Sequence, residues 1–356
     1  MREIHIWEFP EHFRVLATTH FLKESRNLSL GGMQISREYL VGNLFMPVSI
    51  FKRLAQELVL TGRYASLREV EHEVLAYKAC STSKPIWQPV LPLRDTPTLA
   101  ELYAHLVADG GVSKHSIPHY VNSSPALIQR FSYLLRKAFG QVHQVIYWNK
   151  RGAYDLRFSN TAWEVLSWIY GSNVSSKTAK LPRRLLTPKL REAVLRAFID
   201  DEGCVDLNKR VSIGLANQKL LRQLHRVAAI TVGAAHLTPI RKQPRVEYFR
   251  FYIRSTGIGR IARLKLYDVH KKRKINFLLK TNNSPGDHRR PGETQKLLAT
   301  ILRHSGGATI SELSRRLHIR PSNVSKPLYK LLGKGVVEFR HNGNGLYWSI
   351  HKDERD

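Results

Sequence analysis

Residues 102–110 (LYAHLVADG) and residues 195–203 (LRAFIDDEG) decide how this chain is read. Each is an apolar run with helical spacing that stops at an acid followed by glycine. Small and apolar residues mark one face: Leu102, Ala104, Leu106 and Ala108 in the first run, and Leu195, Ala197 and Ile199 in the second. Two such faces can pack closely. The terminal acids, Asp109 and Glu202, would then lie side by side. Gly110 and Gly203 let each helix turn sharply into a strand and so belong to the helix packing.

The same order of elements follows each run. A strand-like stretch reaches an asparagine, Asn122 in HYVNSS and Asn217 in GLANQK. An amphipathic helix comes next and ends at Gly140 or Gly233; Leu127, Phe131, Leu134 and Leu135 keep its spacing in one copy, and Leu220, Leu221, Leu224 and Val227 in the other. A strand pair completes each copy (QVIYWNKRGAYDLRFS and HLTPIRKQPRVEYFRFYIRS), and residues 248–254 alternate with their basic members on one face. From acid to asparagine is 13 residues in the first copy and 15 in the second. The fold expected is α+β, with two pseudo-symmetric αββαββα repeats.

These repeats place the domains. Residues 1–98 are expected to be a helical N-terminal extension, with helices in MQISREYLVGNL and VSIFKRLAQELVL broken at Pro47. A second helix-turn-helix is one reading of that pair, and a helical extension packed on the core is the other. WQPVLPLRDTPT is an extended lead-in. Residues 99–171 form the first repeat and 189–280 the second, joined by a Ser/Lys/Pro-rich linker at 172–188. A linker at 281–292 precedes residues 293–356, where helices in ETQKLLATILRH, ISELSRRL and PSNVSKPLYKLLGKG and a hairpin in VVEFRHNGNGLYWSI give the pattern of a winged helix-turn-helix.

Charge narrows the partner. The chain has 356 residues with 57 Lys and Arg against 28 Asp and Glu, a formal net charge of +29. Such an excess favours a polyanion, and a phosphate backbone is the usual one. No apolar run approaches a membrane span and the N-terminus carries no secretory core, so no membrane partner is expected. Cys80 and Cys204 are far apart and lack CxxC spacing, which excludes a structural zinc finger and fits a reducing, intracellular setting; with a DNA partner the expected location is cytoplasmic and nucleoid-associated.

LYAHLVADG and LRAFIDDEG resemble the two motifs of the single-chain LAGLIDADG homing endonucleases. The resemblance implies a monomer whose two sheets form a saddle over an asymmetric double-stranded DNA site. It also implies site-specific cleavage with Mg²⁺, or another divalent cation such as Mn²⁺, held by Asp109 and Glu202. Two close carboxylates repel, and a hard divalent ion with oxygen ligands relieves that. Asn122 and Asn217 match positions where the family places a polar side chain near the scissile phosphate; the alternative is a turn or helix cap. Expected DNA contacts on the repeats are Lys114, His115, Lys150, Arg151, Arg157, Lys209, Arg210, Arg241, Lys242, Arg245, Arg250 and Arg254. On the winged helix they are Ser322, Asn323, Ser325, Lys326, Lys330 and Arg340. The basic run Lys271–Lys274 is read as a charged helix face over DNA. His105, inside the first motif, is read as a packed core residue rather than a ligand. One departure from the family pattern is the absence of lysine from FSNTAW and IRSTGI, where many active members carry one. Two other functions share these surfaces: a DNA-binding transcription regulator without cleavage, and an RNA intron maturase.

Overall fold

A computed structural model describes residues 2–26, 28, 39, 44–112, 117–172, 174, 178–206, 210–243, 247–282, 292–317, 319, 321–342 and 345–351. The chain forms two compact units, Met1–Ile275 and Asn276–Asp356. The second repeat as drawn from sequence (189–280) therefore extends past this division.

In the first unit β1 (Glu3–Ile4), β2 (Arg14–Ala17), α1 (Thr19–Ser25), β3 (Met46–Pro47), α2 (Val48–Leu60), α3 (Leu67–Glu71), β4 (Val74–Lys78), β5 (Ile86–Trp87) and β6 (Leu93–Arg94) precede the first motif. The N-terminal region is thus mixed α/β, which corrects the helical extension expected from sequence. Alternating burial in Arg14–Ala17 and three buried residues in Val74–Lys78 build strands there. They join a five-stranded sheet in the order β3-β2-β4-β5-β9, where β9 (Gln141–Val142) comes from the first repeat. The helix expected in VSIFKRLAQELVL is α2, starting directly after Pro47. The one expected in MQISREYLVGNL falls almost entirely outside the described residues.

The first repeat runs α4 (Pro97–Asp109), β7 (Gly110–Val112), β8 (Pro118–Asn122), α5 (Pro125–Phe139), β9, β10 (Gln144–Trp148), β11 (Tyr154–Phe158) and α6 (Asn160–Tyr170). The second runs α7 (Arg191–Glu202), β12 (Gly203–Asp206), β13 (Arg210–Leu215), α8 (Gln218–Ala228), β14 (Arg241–Lys242), β15 (Phe249–Ile253) and α9 (Ile258–Arg263). α10 (Val269–Asn282) follows. The sheet orders correspond: β10-β11-β8-β7 and β12-β13-β15-β14. In the second copy the amphipathic helix passes into a π-helical turn at Ala229–Gly233 and a 3₁₀ turn at Ala234–His236. The connection read as a linker is more ordered than its composition suggests. Ala179, Leu181 and Leu185 are buried, and Gln223 hydrogen-bonds both backbone groups of Leu181.

The motif glycines are required by contact, not by handedness. Gly110 has φ −97° and Gly203 φ −75°, values open to any residue. A Cβ on Gly110 would lie 2.6 Å from the Leu106 carbonyl oxygen, and one on Gly203 2.4 Å from that of Ile199. The strand folds back so tightly over the last helical turn that no side chain fits. Gly203→Ala is expected to destabilise the first unit by about 1–3 kcal/mol through overpacking. Urea denaturation checks this, and an unchanged midpoint would refute the tight-turn account.

The second unit contains α11 (Glu293–Ser305), β16 (Ala308–Thr309), α12 (Ile310–Leu317), α13 (Pro321–Leu332), β17 (Val337–Asn342) and β18 (Gly345–Ile350). Its sheet order is β16-β18-β17. Leu298, Leu302, Leu313, Val324, Leu328 and Trp348 anchor a core of its own. The helices and hairpin match the expected winged-helix pattern, with Pro321 in the first turn of α13 where it costs no hydrogen bond. The short strand β16 is an addition. α13 stops at Leu332, short of the Gly335 end read from sequence, and Gly335 adopts φ +66° beyond it.

Candidate active centre and nucleic-acid interface

The two motif helices, α4 and α7, pack together more extensively than any other pair of described elements. Every residue of α4 from Leu99 to Ala108 is buried, as are Ala193, Val194, Leu195, Ala197, Phe198, Ile199 and Asp200 of α7. Asp109 is the last residue of one helix and Glu202 the last of the other. The C-terminal end of a helix carries partial negative charge, so an acid there is unfavourable unless a cation compensates it. Here the acids cluster, because Asp109 feels the charges of both Asp201 and Glu202.

A hydrogen-bonded chain links the two repeats through this seam. Asn122 Nδ2 donates to Asp109 Oδ2 at 2.9 Å. The Tyr120 hydroxyl donates to Asp201 Oδ1 at 2.6 Å, and His105 Nδ1 meets Asp201 Oδ2 at 2.8 Å. The His105 and Asp201 side chains are both fully buried. On the other side of His105 lies the buried Glu101, at 3.9 Å. Arg130 grips Glu101 with two hydrogen bonds of 2.8 Å, and Arg196 of the second repeat pairs with the same carboxylate.

Burial, followed by the charges of Asp201 and Glu202, pushes the Asp109 carboxyl up to about 7. Burial and Asp201 push Glu202 up to about 7 as well, while Lys271 opposes the rise. Burial would depress His105, but Asp201 and Glu101 outweigh it and lift the imidazole to about 10. The two carboxylates around it favour the protonated form of the ring. Its reading as a core residue agrees with this geometry.

Lys271 is the centre's unforeseen member. Its Nζ donates to the carbonyls of Ile199 at 3.1 Å and Asp201 at 3.2 Å, and to that of Asp200. It caps the C-terminal end of α7 and brings positive charge to Asp109 and Glu202. FSNTAW and IRSTGI contain no lysine, and the lysine that reaches the end of α7 comes from α10 instead. The only signal in the sequence is the run Lys271–Lys274, read as a charged face. Lys272, Arg273 and Lys274 are indeed exposed, whereas Lys271 turns inward. Asp200 also faces away from the pair and accepts from the backbone N–H groups of Tyr267 and Asp268.

The two asparagines part company. Asn122 stands on Asp109, but Asn217 is the N-cap of α8. Its Oδ1 accepts from Leu220 N and its Nδ2 donates to the Ala179 carbonyl. Asn217 therefore takes the helix-cap alternative, since both ends of its buried amide are spent on the backbone.

Strand alternation sorts the basic candidates. In the second sheet Val211, Ile213, Phe251 and Ile253 are buried, so Arg210, Ser212, Gly214, Arg250 and Tyr252 occupy the opposite face. Arg241 pairs with Arg250 on that face, and Arg254 follows the same alternation just past β15. Arg210 is 3.1 Å from Asp206 and 4.3 Å over the Tyr252 ring. Lys242 pairs with Phe249 and so belongs to the other face, although it is exposed. In the first sheet Tyr120, Leu156 and Phe158 are buried, which leaves His119, Val145, Tyr147, Asp155 and Arg157 outward. Arg157 lies 3.3 Å from Asp155 and 4.9 Å over Tyr147. Lys150 and Arg151 are exposed at the β10–β11 turn. Lys114, His115, Lys209 and Arg245 lie outside the described residues. In the winged helix Lys326 and Lys330 are exposed on α13, Ser325 is half-buried, Asn323 is exposed, Ser322 is the second residue of the helix, and Arg340 is exposed on β17.

Divalent-cation chemistry fits two oxygen donors at one end of the seam. Magnesium takes one or two carboxylates and otherwise waters or phosphate oxygens. The elevated Asp109 and Glu202 are groups that such an ion would return to the ionised form. Among the described residues no set of three or more His, Cys, Asp or Glu converges as a metal cage. Among them, too, no helix is long and apolar enough to cross a membrane.

Fold and centre together define a class: two copies of a helix-and-sheet unit that bring paired acids together within one chain, followed by a winged helix. The MarR family matches residues 293–344. No curated protein matches the chain. Among solved structures, full-length DUF199/WhiA from Thermatoga maritima is 12% identical, with 67% of this chain and 90% of that one covered at a TM-score of 0.36. The homing endonuclease I-WcaI bound to its DNA recognition sequence is 13% identical over 51% and 86%, with a TM-score of 0.36. I-DmoI in complex with DNA and Mn is 17% identical over 49% and 97%, with a TM-score of 0.35.

Proposed function

We propose that this protein is a site-specific double-strand DNA endonuclease whose cleavage centre is formed by Asp109 and Glu202. The observation that carries the reading is the placement of both acids on the final residues of two packed, repeat-related helices. An arrangement that raises both carboxyls and sets them against two helix C-termini costs stability, which is expected where a site is built for a cation. Asp109 and Glu202 would hold Mg²⁺ or Mn²⁺, which when bound supplies Lewis-acid stabilisation of the phosphodiester and an activated water. Asn122 fixes one oxygen of Asp109, and Lys271 fixes the end of α7 that presents Glu202. Arg210, Arg241, Arg250 and Arg254 share one sheet face and are suited to phosphate and guanine contacts. The first sheet offers Arg157 among Val145, Tyr147 and His119, so the two half-sites differ and the DNA site is asymmetric. The chain acts as a monomer because it carries both halves.

Selection from a random duplex library in Mg²⁺ and in Ca²⁺ tests this reading. Recovery of a cut sequence with Mg²⁺ and of the same sequence bound but uncut with Ca²⁺ is expected. Recovery of a bound sequence that neither ion cleaves would favour the second reading, a DNA-binding regulator. The match of residues 293–344 to the MarR family is the observation that supports that alternative.

Two further outcomes are expected. Asp109 and Glu202 have folded pKa values above their unfolded ones. Their stability contribution is complete below the unfolded values near about 4 and is lost as pH rises through about 7. Mg²⁺ should therefore raise Tm at about pH 8 and leave it unchanged at about pH 5. Equal shifts at both would argue against a site at this pair. Removing residues 293–356 should weaken DNA binding and flatten its salt dependence, by about one unit of slope for each phosphate the winged helix neutralises. An identical slope would show that the winged helix stands off the DNA.

A further inference from the structure

The outward face of the first sheet does not end at the sheet. Beside it lies a cleft of about 390 Å³ whose walls come from both the N-terminal region and the first repeat. Ser83 and Lys84 form one side, and His143, Val145, Tyr147 and Arg157 the other. The last three belong to the sheet face proposed above to meet DNA. Among the described residues that line the cleft, none is Asp or Glu, while Lys84, His143 and Arg157 supply cationic or protonatable groups.

The N-terminal wall is fixed in place. The Lys84 carbonyl accepts from Ser159 Oγ at 2.6 Å and from Thr161 Oγ1 at 2.8 Å, at the start of α6. Ala79 N donates to the same Thr161 hydroxyl at 3.2 Å. Within the loop, Cys80 N donates to Ser83 Oγ at 2.8 Å. With its backbone anchored in this way, the loop need not be ordered before its lysine can reach a ligand, and only the Lys84 side chain remains to be fixed.

Resting on the reading of the sheets as a DNA interface, we infer that residues 80–84 extend that interface and that the cleft receives the phosphodiester backbone of the duplex beyond the stretch covered by the first sheet. Charge complementarity and continuity with the sheet face select this occupant. Lys84 and His143 approach phosphate oxygens, while Tyr147 and Val145 pack against the sugar. Contacts of this kind set register and affinity rather than sequence preference.

The chain's two cysteines allow this inference and the reading beneath it to fail separately. Both are exposed. Cys204 pairs with Ser212 on the outward face of the second sheet, directly after the motif. Cys80 belongs to the cleft loop, where hydrogen bonds from Ser83 and Thr82 bring its thiol down to about 7 and make it reactive near neutrality. The experiment is iodoacetamide alkylation of the full chain, with and without a saturating random-sequence duplex, read per cysteine by peptide mass. A Lys84→Ala variant is measured alongside for its salt slope. Protection of both thiols, with the Lys84→Ala slope lower by about 1 and binding weakened uniformly across sequences, is expected. Protection of Cys204 alone with an unchanged slope would overturn the cleft assignment and leave the sheet interface standing. No protection of either thiol in the bound protein would overturn both.

Discussion

Asp109→Asn combined with Glu202→Gln is expected to reduce Mg²⁺-dependent cleavage by at least about 100-fold, because a bound metal supplies several kcal/mol of transition-state stabilisation. DNA affinity should be preserved or slightly improved, since two carboxylates near the phosphates become neutral. The pair also predicts a pH profile. Both carboxyls are pushed up to about 7, so cleavage should climb between about pH 6 and about pH 8 as they ionise to hold the ion. Conservative amides preserve shape at helix ends whose glycine turns tolerate no extra atom, so the variant should fold. Plasmid cleavage alongside filter binding measures both quantities. Undiminished cutting by the double variant would end the assignment of the centre.

Glu101→Gln is expected to cost about 3–5 kcal/mol, the effect of removing one partner from a buried ionic cluster. Its buried carboxylate is shared by His105, Arg130 and Arg196. Burial works to raise the Glu101 carboxyl, but the nearby His105 ring, the hydrogen bonds from Arg130 and the charge of Arg196 hold it well below the usual carboxylate range. Its contribution is present above the unfolded value near about 4.3 and is lost as pH falls through the depressed folded value. His105 behaves oppositely. With its folded value at about 10, its contribution is complete below about 6.5 and is lost as pH rises through about 10. Arg130 and Arg196 also stack on Tyr267, at 4.0 and 5.5 Å, which softens the loss. Urea denaturation across pH should show a large drop in midpoint for Glu101→Gln; a drop below about 1 kcal/mol would mean the cluster is held by packing alone.

The motif helices and the winged helix could be read in advance because their signals are local. Apolar spacing, a terminal acid and glycine, Pro321 at a helix start and a Gly/Asn hairpin tip each act within a few residues. The N-terminal sheet left no such trace: β3 and β5 are two residues long, and β5 pairs with β9 from the first repeat. The centre divides in the same way. Asp109 and Glu202 stand at a position any reader of the motif would mark. Lys271 reaches the centre from a helix 70 positions beyond Asp201, and His105 and Asp201 meet only once the repeats are docked. Asn217 shows the converse, a motif-matched residue whose buried amide serves the backbone.

The bond between His105 and Asp201 has a consequence for which halves can pair. Aligning the two motifs puts Phe198 where the first half has His105, and Ala108 where the second has Asp201. Two copies of the first half placed against one another would leave each His105 Nδ1 facing an alanine. Two copies of the second would leave each carboxylate facing a phenylalanine. The second pairing would strand Asp201 in a dry interior and the first would leave His105 with Glu101 alone at 3.9 Å, so the seam favours unlike halves over like ones. The seam in this way depends on the two halves being different.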